Sequence, residues 1–442
     1  MEDSTAVAEQ MWAAVQDEWR AVVAWAVAQQ ARDLRTLEAG LLERGHALLR
    51  GLLGAMLAGA PAATAPVPPR CPDCHAPAQR VAARVKTVHL TLGDVRLVRV
   101  CGYCPACQQL WAPRDRQLGI DQSGRSPRLV EAVALLGTEL PFAPAATRLA
   151  WLCGVQVGAS QVAMVTEGAG RTLAAQRVAE IAAAFPTDQQ APALPAVEHT
   201  APWVIIALDG VLVPYRDGDH EVRTAAVAAV RPQDLAQPYP LPWRYVVHPG
   251  DVATFGRPLW LAAHRQGGQQ AERGIVLGDG AHWVWNLAEE HCPEAGLIVD
   301  FWHAAEHLWA AGRALFGEDD ARVGPWVAHA TARLKAGEVM VLTAAWTELH
   351  PHDRGAFAAE CTYFRNQAPR MRYDEYAAAG YPLGSGAVES ANRHVVGVRT
   401  KQAGRRWTPA GAAGVLALRA LLRSERWERW WTGTAPPIPL AA

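Results

Sequence analysis

Three acidic residues occupy contexts where chemistry could be done: Asp209 in WVIIALDG, Asp279 in GIVLGDGAHWVW and Glu389 in GSGAVESANRHVVGVRTK. The first two close apolar, β-rich runs and precede a glycine. That places a carboxylate at the rim of a sheet, where sites in α/β sheets sit. Taken singly, each also reads as a turn-opening Asp or a helix cap. Glu389 opens a helix behind a glycine-flanked entrance, and Asn392 and Arg393 share its face by helical spacing. Two strand-end acids and a third on a later helix suit two divalent cations held against a phosphodiester. Carboxylates favour hard Mg²⁺ or Mn²⁺, and two such ions about 3.5–4 Å apart activate a water or a 3′-hydroxyl and stabilise the leaving oxygen.

Cysteines supply a second constellation. Cys71-Pro-Asp-Cys74 and Cys104-Pro-Ala-Cys107 flank VKTVHLTLGDVRLVRV, which reads as two short strands around a Leu-Gly-Asp turn. Two such knuckles around a hairpin form a zinc ribbon, a closed structural Zn²⁺ site of four thiolates. Cys101 also forms a CxxC with Cys104, so either Cys101 or Cys107 completes the set; Cys107 is preferred because Cys101 ends a strand. Cys153, Cys292 and Cys361 are isolated and read as small buried apolar residues. A third pattern, His303-Ala-Ala-Glu306-His307, matches the HxxEH signature of inverted zinc proteases. The match is short, and it leaves the three acidic contexts unexplained.

The chain that must position these groups has 442 residues, half of them apolar and 19% charged, with a formal net charge of -1. This length implies several domains, and the charge gives no global case for nucleic acid. No run approaches the roughly 20 apolar residues of a membrane helix, and MEDSTAVAEQ is no signal peptide. The expectation is a soluble, cytoplasmic protein without a membrane partner.

Helical spacing predicts an N-terminal hairpin over 1–58, followed by an Ala/Pro linker at Gly59–Pro69 and the zinc ribbon over 67–118. Three short helices over 119–185 include a helix-turn-helix-like pair with Cys153 and Gly154 at the turn. Such a pair serves either DNA contact or packing. A Pro-rich linker spans 186–202, and the texture then turns α/β over 200–303. Strands are expected at Val204–Leu208, Glu221–Val230, Arg244–His248, Gly274–Leu277 and Leu297–Asp300, with a helix at His282–His291. A helical insertion covers 304–380, and 381–442 carries the last acid and a basic C-terminal helix over Ala412–Trp431. Within the insertion and just before it, Trp302, Trp309, Trp326 and Trp346 are expected in the core.

Positive charge accumulates between Arg393 and Arg429. Arg399, Lys401, Arg405 and Arg406 could grip phosphates, and Trp407 could touch DNA; a solvated helix face is the bland alternative.

The stretches LGDGAHWVWNLAEEHCP, IVDFWHAAEHLW, YPLGSGAVESANRHVVGVRTKQAGRRW and LALRALLRSERWERWW resemble the ISKra-family insertion-sequence transposases. Those are similar to Mutator-like DDE transposases with a ribonuclease H-like catalytic core. The resemblance runs from the zinc ribbon to the C-terminus, most specifically over 203–431. It implies a multidomain α/β protein with a ribonuclease H-like mixed sheet and an all-α insertion, and a metal-binding triad of Asp209, Asp279 and Glu389. It implies binding of double-stranded DNA, both terminal inverted repeats and target, and a homodimer or higher oligomer. Related transposases often carry Cys-x-x-His where this chain has Asp300-Phe-Trp-His303. His303 is then a secondary site residue, and Asp300 an accessory ligand or a strand-end cap. The alternatives are a catalytically silent DNA-binding protein derived from a transposase and the HxxEH zinc metalloprotease.

Overall fold

A computed structural model describes residues 2–29, 33–59, 70–187, 190–236, 243–402 and 404–433. The fold is mixed α/β and mostly helical, with two sheets among the described residues. The chain divides into two compact units, Met1–Thr172 with Arg429–Ala442, and Leu173–Glu428. From residue 60 onward, the linker expected at Gly59–Pro69 lies outside the described residues.

The first unit begins with α1 (Glu2–Ala28) and α2 (Leu34–Gly59). They pack closely enough that a Cβ on Gly40 would strike the Trp25 ring, and Gly51 faces Val15. Strands β1 (Gln79–Leu90) and β2 (Gly93–Cys104) form an antiparallel hairpin, and β3 (Gln109–Trp111) adds a third strand. The hairpin is longer than the two short strands expected, because pairing continues from the Leu-Gly-Asp turn past a bulge at Val81/Arg84 to Gln79↔Tyr103. Arg50 of α2 donates to Leu92 O at 2.7 Å, tying the helical hairpin to the strand turn.

Helices α3 (Pro113–Gln117), α4 (Pro127–Glu139), α5 (Phe142–Cys153) and α6 (Ala159–Ala184) follow. Ser126 caps α4 by accepting from Leu129 N–H, with Pro127 at the first helical position. Gly154 ends α5 at φ 66, so the turn falls at Cys153 and Gly154 as the sequence suggests. α6 is not short: it spans 26 residues.

The second unit is built on a five-stranded sheet of β4 (Trp203–Tyr215), β5 (Gly218–Val230), β6 (Arg244–His248), β7 (Arg273–Gly278) and β8 (Gly296–Val299). Its order is β6-β5-β4-β7-β8. β4, β5 and β6 pair antiparallel, whereas β4, β7 and β8 run parallel. Between β6 and β7 lies α7 (Val252–Arg265), a helix the sequence expectation lacks, with Pro258 in its interior. α8 (His282–His291) joins β7 to β8 over the expected residues.

After β8 the chain is helical: α9 (Phe301–Phe316), α10 (Val323–Lys335), α11 (Val339–Ala345), α12 (Arg354–Gln367) and α13 (Tyr373–Ala378). Ile205, Ile275, Ile298, Phe255, Leu308 and Phe364 belong to one continuous core, so these helices share their apolar interior with the sheet. Trp346 is buried in that core, but Trp302 and Trp309 are 66% and 44% exposed, against the expectation for both. They sit seven residues apart on α9, on the side turned away from the core.

The chain then forms α14 (Gly386–Ala391), π-helical turns over Asn392–Gly397, α15 (Val398–Thr400), α16 (Pro409–Arg423) and α17 (Trp427–Gly433). The single helix expected over Ala412–Trp431 is broken between α16 and α17, where Glu425 adopts φ 55.

Candidate functional site

β4 does not end at Leu208. It continues through Asp209 to Tyr215 as one arm of a hairpin with β5, in which Asp209 faces Thr224. Its parallel partner stops earlier. β4 and β7 pair up to Ala207↔Leu277, and β7 and β8 up to Gly278↔Val299. Extended by one or two residues, this register sets Asp209, Asp279 and Asp300 in one row across the carboxyl ends of three adjacent strands. Asp300 N–H still donates to Gly278 O at 2.8 Å, so the ladder holds to the edge of the row. Asp209 is therefore a rim residue of the parallel half of the sheet, though it lies inside its own strand.

Each carboxylate of the row is fixed by donors. Asp209 accepts from Gly210 N–H at 2.7 Å and, through its other oxygen, from the Asn392 side-chain amide. Asp279 accepts from Ala281 N–H at 2.9 Å, bending the chain toward α8. Asp300 is 1% exposed and caps α9 by accepting from His303 N–H at 2.8 Å; its second oxygen takes Ser385 N–H. Of the two roles open to it, Asp300 performs the cap, and it braces the entrance of the helix that bears Glu389. Ser385 O in turn accepts from Glu389 N–H at 3.2 Å.

Charge couples the acids. Burial is the main cause that lifts the Asp209 carboxyl to about 6, and the negative charges of Asp279 and Glu389 raise it further, while Gly210 N–H and Asn392 pull the other way. Glu389 is exposed at the start of α14, and its carboxyl is also raised, first by partial burial and then by Asp300 and Glu306, with His303 opposing. Like charges gathered on one rim are what a bound cation relieves. The acids do not form a closed cage. Among the described residues, only Cys71, Cys74, Cys104 and Cys107 bring three or more ligand atoms within 4.8 Å of one another.

The four cysteines draw together in the first unit. Sγ separations are 3.6 Å for Cys71–Cys107, 3.5 Å for Cys74–Cys104 and 3.4 Å for Cys74–Cys107. Tetrahedral thiolates around zinc stand about 3.8 Å apart, so the set is compatible with a structural Zn²⁺. Both knuckles use the same backbone device: the residue after the second cysteine has positive φ, His75 at 60 and Gln108 at 54. The Cys104 thiol is drawn down to about 7, chiefly by the Cys107 backbone N–H. Cys101 lies outside the cluster, buried on β2, where its sulfur accepts from Arg99 at 3.0 Å.

The basic segment is not one surface. Arg399 is fully buried, 4.9 Å from the centre of the Trp407 ring. Trp407 is 5% exposed, bonds through its indole N–H to Thr400 O, and pairs by backbone with Tyr215. Neither presents a face to nucleic acid, contrary to the expectation for both. Helical turns after Glu389 wind these residues inward against the end of β4. Arg419 is buried as well, donating to Val395 O at 2.5 Å and to His394 O. Lys401, Arg406 and Arg393 are exposed, and Arg405 is half-buried beside Trp407.

In the HxxEH stretch, His307 Nδ1 lies 2.7 Å from the Glu360 carboxylate, and its ring stacks on Tyr363. His303 and Glu306 stand 3.6 Å apart on the surface of α9. No group of three ligand atoms forms there among the described residues.

Three residues that sequence reasoning passed over hold the rim. Thr224 is fully buried and donates its hydroxyl to Asn392 Oδ1 at 2.6 Å. As the one polar residue within the apolar run TAAVAAV it carried a local signal. Tyr363 and Gln367 reach the Asp279–Gly280 turn from α12, and no local pattern marks them.

No protein-family model matches this chain, and no curated protein matches it. No helix among the described residues is long and apolar enough to cross a membrane.

Proposed function

We propose that the chain is a DDE transposase of the kind carried by ISKra-like insertion sequences. It would bind terminal inverted repeats, cleave DNA strands and transfer them to a target in a divalent-metal-dependent reaction. The observation that carries the reading is the rim itself: Asp209 and Asp279 in one row at the carboxyl ends of neighbouring parallel strands, with Glu389 on the helical segment that Asn392 ties to Asp209. Support for a ribonuclease H-like core comes from the mixed sheet and from the last acid riding on a helix after the fifth strand.

Asp209, Asp279 and Glu389 would hold two Mg²⁺ or Mn²⁺ ions, leaving positions open for phosphate oxygens. When bound, such ions supply Lewis-acid stabilisation and an activated water or 3′-hydroxyl. The protein's own groups do the rest. Burial lifts the Asp209 carboxyl to about 6, and a bound cation would favour its ionised form. Asn392 fixes the carboxylate's direction, and Thr224 fixes the amide. Asp300 orients the entrance of α14. The exposed Arg393, Lys401 and Arg406 would meet DNA phosphates. The four-cysteine module, with its Zn²⁺, and the α5–α6 pair would read the terminal repeats.

The test is a plasmid carrying the element's ends, incubated with Mg²⁺ and wild type, Asp209→Ala, Asp279→Ala or Glu389→Ala. Cleavage is expected only with wild type and metal. Metal-dependent cleavage surviving all three substitutions would falsify the assignment.

A further inference from the structure

We propose that the helical block inserted before Glu389 acts as a clamp on the second acid, with Tyr363 and Gln367 as positioning residues for Asp279. This rests on the reading of Asp279 as a ligand for divalent cations.

The geometry is a double capture of consecutive carbonyls. The Tyr363 hydroxyl donates to Asp279 O at 2.9 Å, and the Gln367 side-chain amide donates to Gly280 O at 2.8 Å. The two residues stand four apart on α12, one above the other on a single face. The turn they grip has one local brace, the bond from Ala281 N–H to the Asp279 side chain, and its two carbonyls are held from α12. Gly280 sits at φ +105, a conformation open to glycine and costly to others. It closes directly on the phenol: a Cβ there would lie 2.8 Å from the Tyr363 ring.

Tyr363 is itself supported from behind. Its ring stacks on His307 at 3.7 Å, with 18° between the planes, and His307 is bonded to Glu360 at 2.7 Å. Gln367 is 4% exposed, so its amide has no competing water. The same block grips the next strand, where Tyr373 and Tyr376 donate to Val299 O and Leu297 O. The insertion thus sets the backbone from which Asp279 projects. Without those two bonds the carbonyls of the turn would be held only by its local brace, and a shift of about 1 Å in a ligand is enough to weaken a metal site.

The test uses the full chain with Tyr363→Phe, Gln367→Met, the double variant and Asp279→Ala. Tyr363→Phe removes only the hydroxyl and keeps the ring on His307, so it serves if the double variant fails to fold. Two readouts are taken: Mn²⁺ affinity without DNA, by electron paramagnetic resonance, and the Mg²⁺ concentration for half-maximal end cleavage. Each single variant is expected to weaken both by about tenfold, the loss typical of groups that support a ligand, with the rate at saturating metal largely restored. Wild-type metal dependence in Tyr363→Phe and Gln367→Met, beside a dead Asp279→Ala, would overturn the clamp and leave the proposed function standing. Wild type that binds no Mn²⁺, or binding and cleavage that persist in Asp279→Ala, would overturn both.

Discussion

Asn392 donates its side-chain amide to the carboxylate of Asp209 across 183 residues of sequence. Its carbonyl end accepts from the Thr224 hydroxyl, so neighbouring strands β4 and β5 are joined to the helix that bears Glu389 through one amide. The orientation of the amide follows from this network, because only one assignment of oxygen and nitrogen satisfies both partners. Asn392 is also where α14 passes into π-helical turns, a departure from regular helix that often accompanies function.

Asn392→Ala should cut both ties. Thr224 is fully buried and would lose its shorter bond, keeping only the Asp209 carbonyl at 3.2 Å as acceptor, a cost of about 1 kcal/mol in stability. Asp209 would lose a donor that lowers its carboxyl, so cation binding should need more metal and a higher pH. Thr224→Val removes the hydroxyl but leaves the Asn392–Asp209 bond, so its metal dependence should shift less than that of Asn392→Ala. Thermal melts and Mg²⁺ titrations of the two variants check this; equal melts with wild-type metal dependence would show that Asn392 is mere packing.

A pH prediction follows from Asp209, whose carboxyl stands at about 6 against an ordinary 3.8. The folded protein holds this proton more tightly than the unfolded chain. Ionisation therefore costs nothing below about pH 4, opposes folding increasingly as pH rises toward 6, and opposes it fully above. The full cost is at most about 3 kcal/mol. In metal-free protein, Asp209→Asn should raise the melting temperature at pH 8 and give no gain at pH 4. Mg²⁺ should stabilise wild type at pH 8 and not the variant. A gain independent of pH would refute the account.

Cys101 and Cys107 offer a clean pair for zinc. Cys107 Sγ lies 3.6 Å and 3.4 Å from Cys71 and Cys74, whereas Cys101 turns to Arg99. Cys107→Ser should drop bound zinc, measured by elemental analysis, from one per chain toward none. Cys101→Ser should keep it. The reverse result would place the fourth thiolate one knuckle position earlier.

What the sequence disclosed and what it hid divide along one physical line. Features set by local pattern were legible: α8, β6, the turn at Gly154 and both knuckles rest on spacing, caps and glycine. The Asp209 context was legible as a rim, although β4 runs past it, because an apolar run does not say which neighbour stops first. Features set by tertiary packing were hidden. Burial of Arg399 and Trp407 depends on how the turns after Glu389 meet the end of β4. Exposure of Trp302 depends on which face of α9 meets the core. Tyr363 and Gln367 act on a turn more than 80 residues away.

The basic segment yields a last prediction, because burial splits it into two groups. Lys401 and Arg406 are exposed, and if they meet DNA phosphates each carries a share of the salt-dependent affinity. Lys401→Ala and Arg406→Ala should each weaken binding to any duplex and lower the slope of log affinity against log salt by about 1; the melting temperature should be nearly unchanged for Lys401→Ala, while Arg406→Ala also gives up a bond to Tyr215 O and should melt slightly lower. Arg399 and Trp407 are packed on each other inside the protein, so their loss acts on the fold. Arg399→Ala should leave a cavity and cost about 2–4 kcal/mol, and Trp407→Ala about 3–5 kcal/mol. Trp407→Phe, which keeps a ring but gives up the bond to Thr400 O, should cost less than Trp407→Ala. Any loss of DNA binding in these variants should track the unfolded fraction and show the wild-type salt slope. A reduced salt slope for Arg399→Ala in protein that melts like wild type would mean that its guanidinium reaches DNA after all.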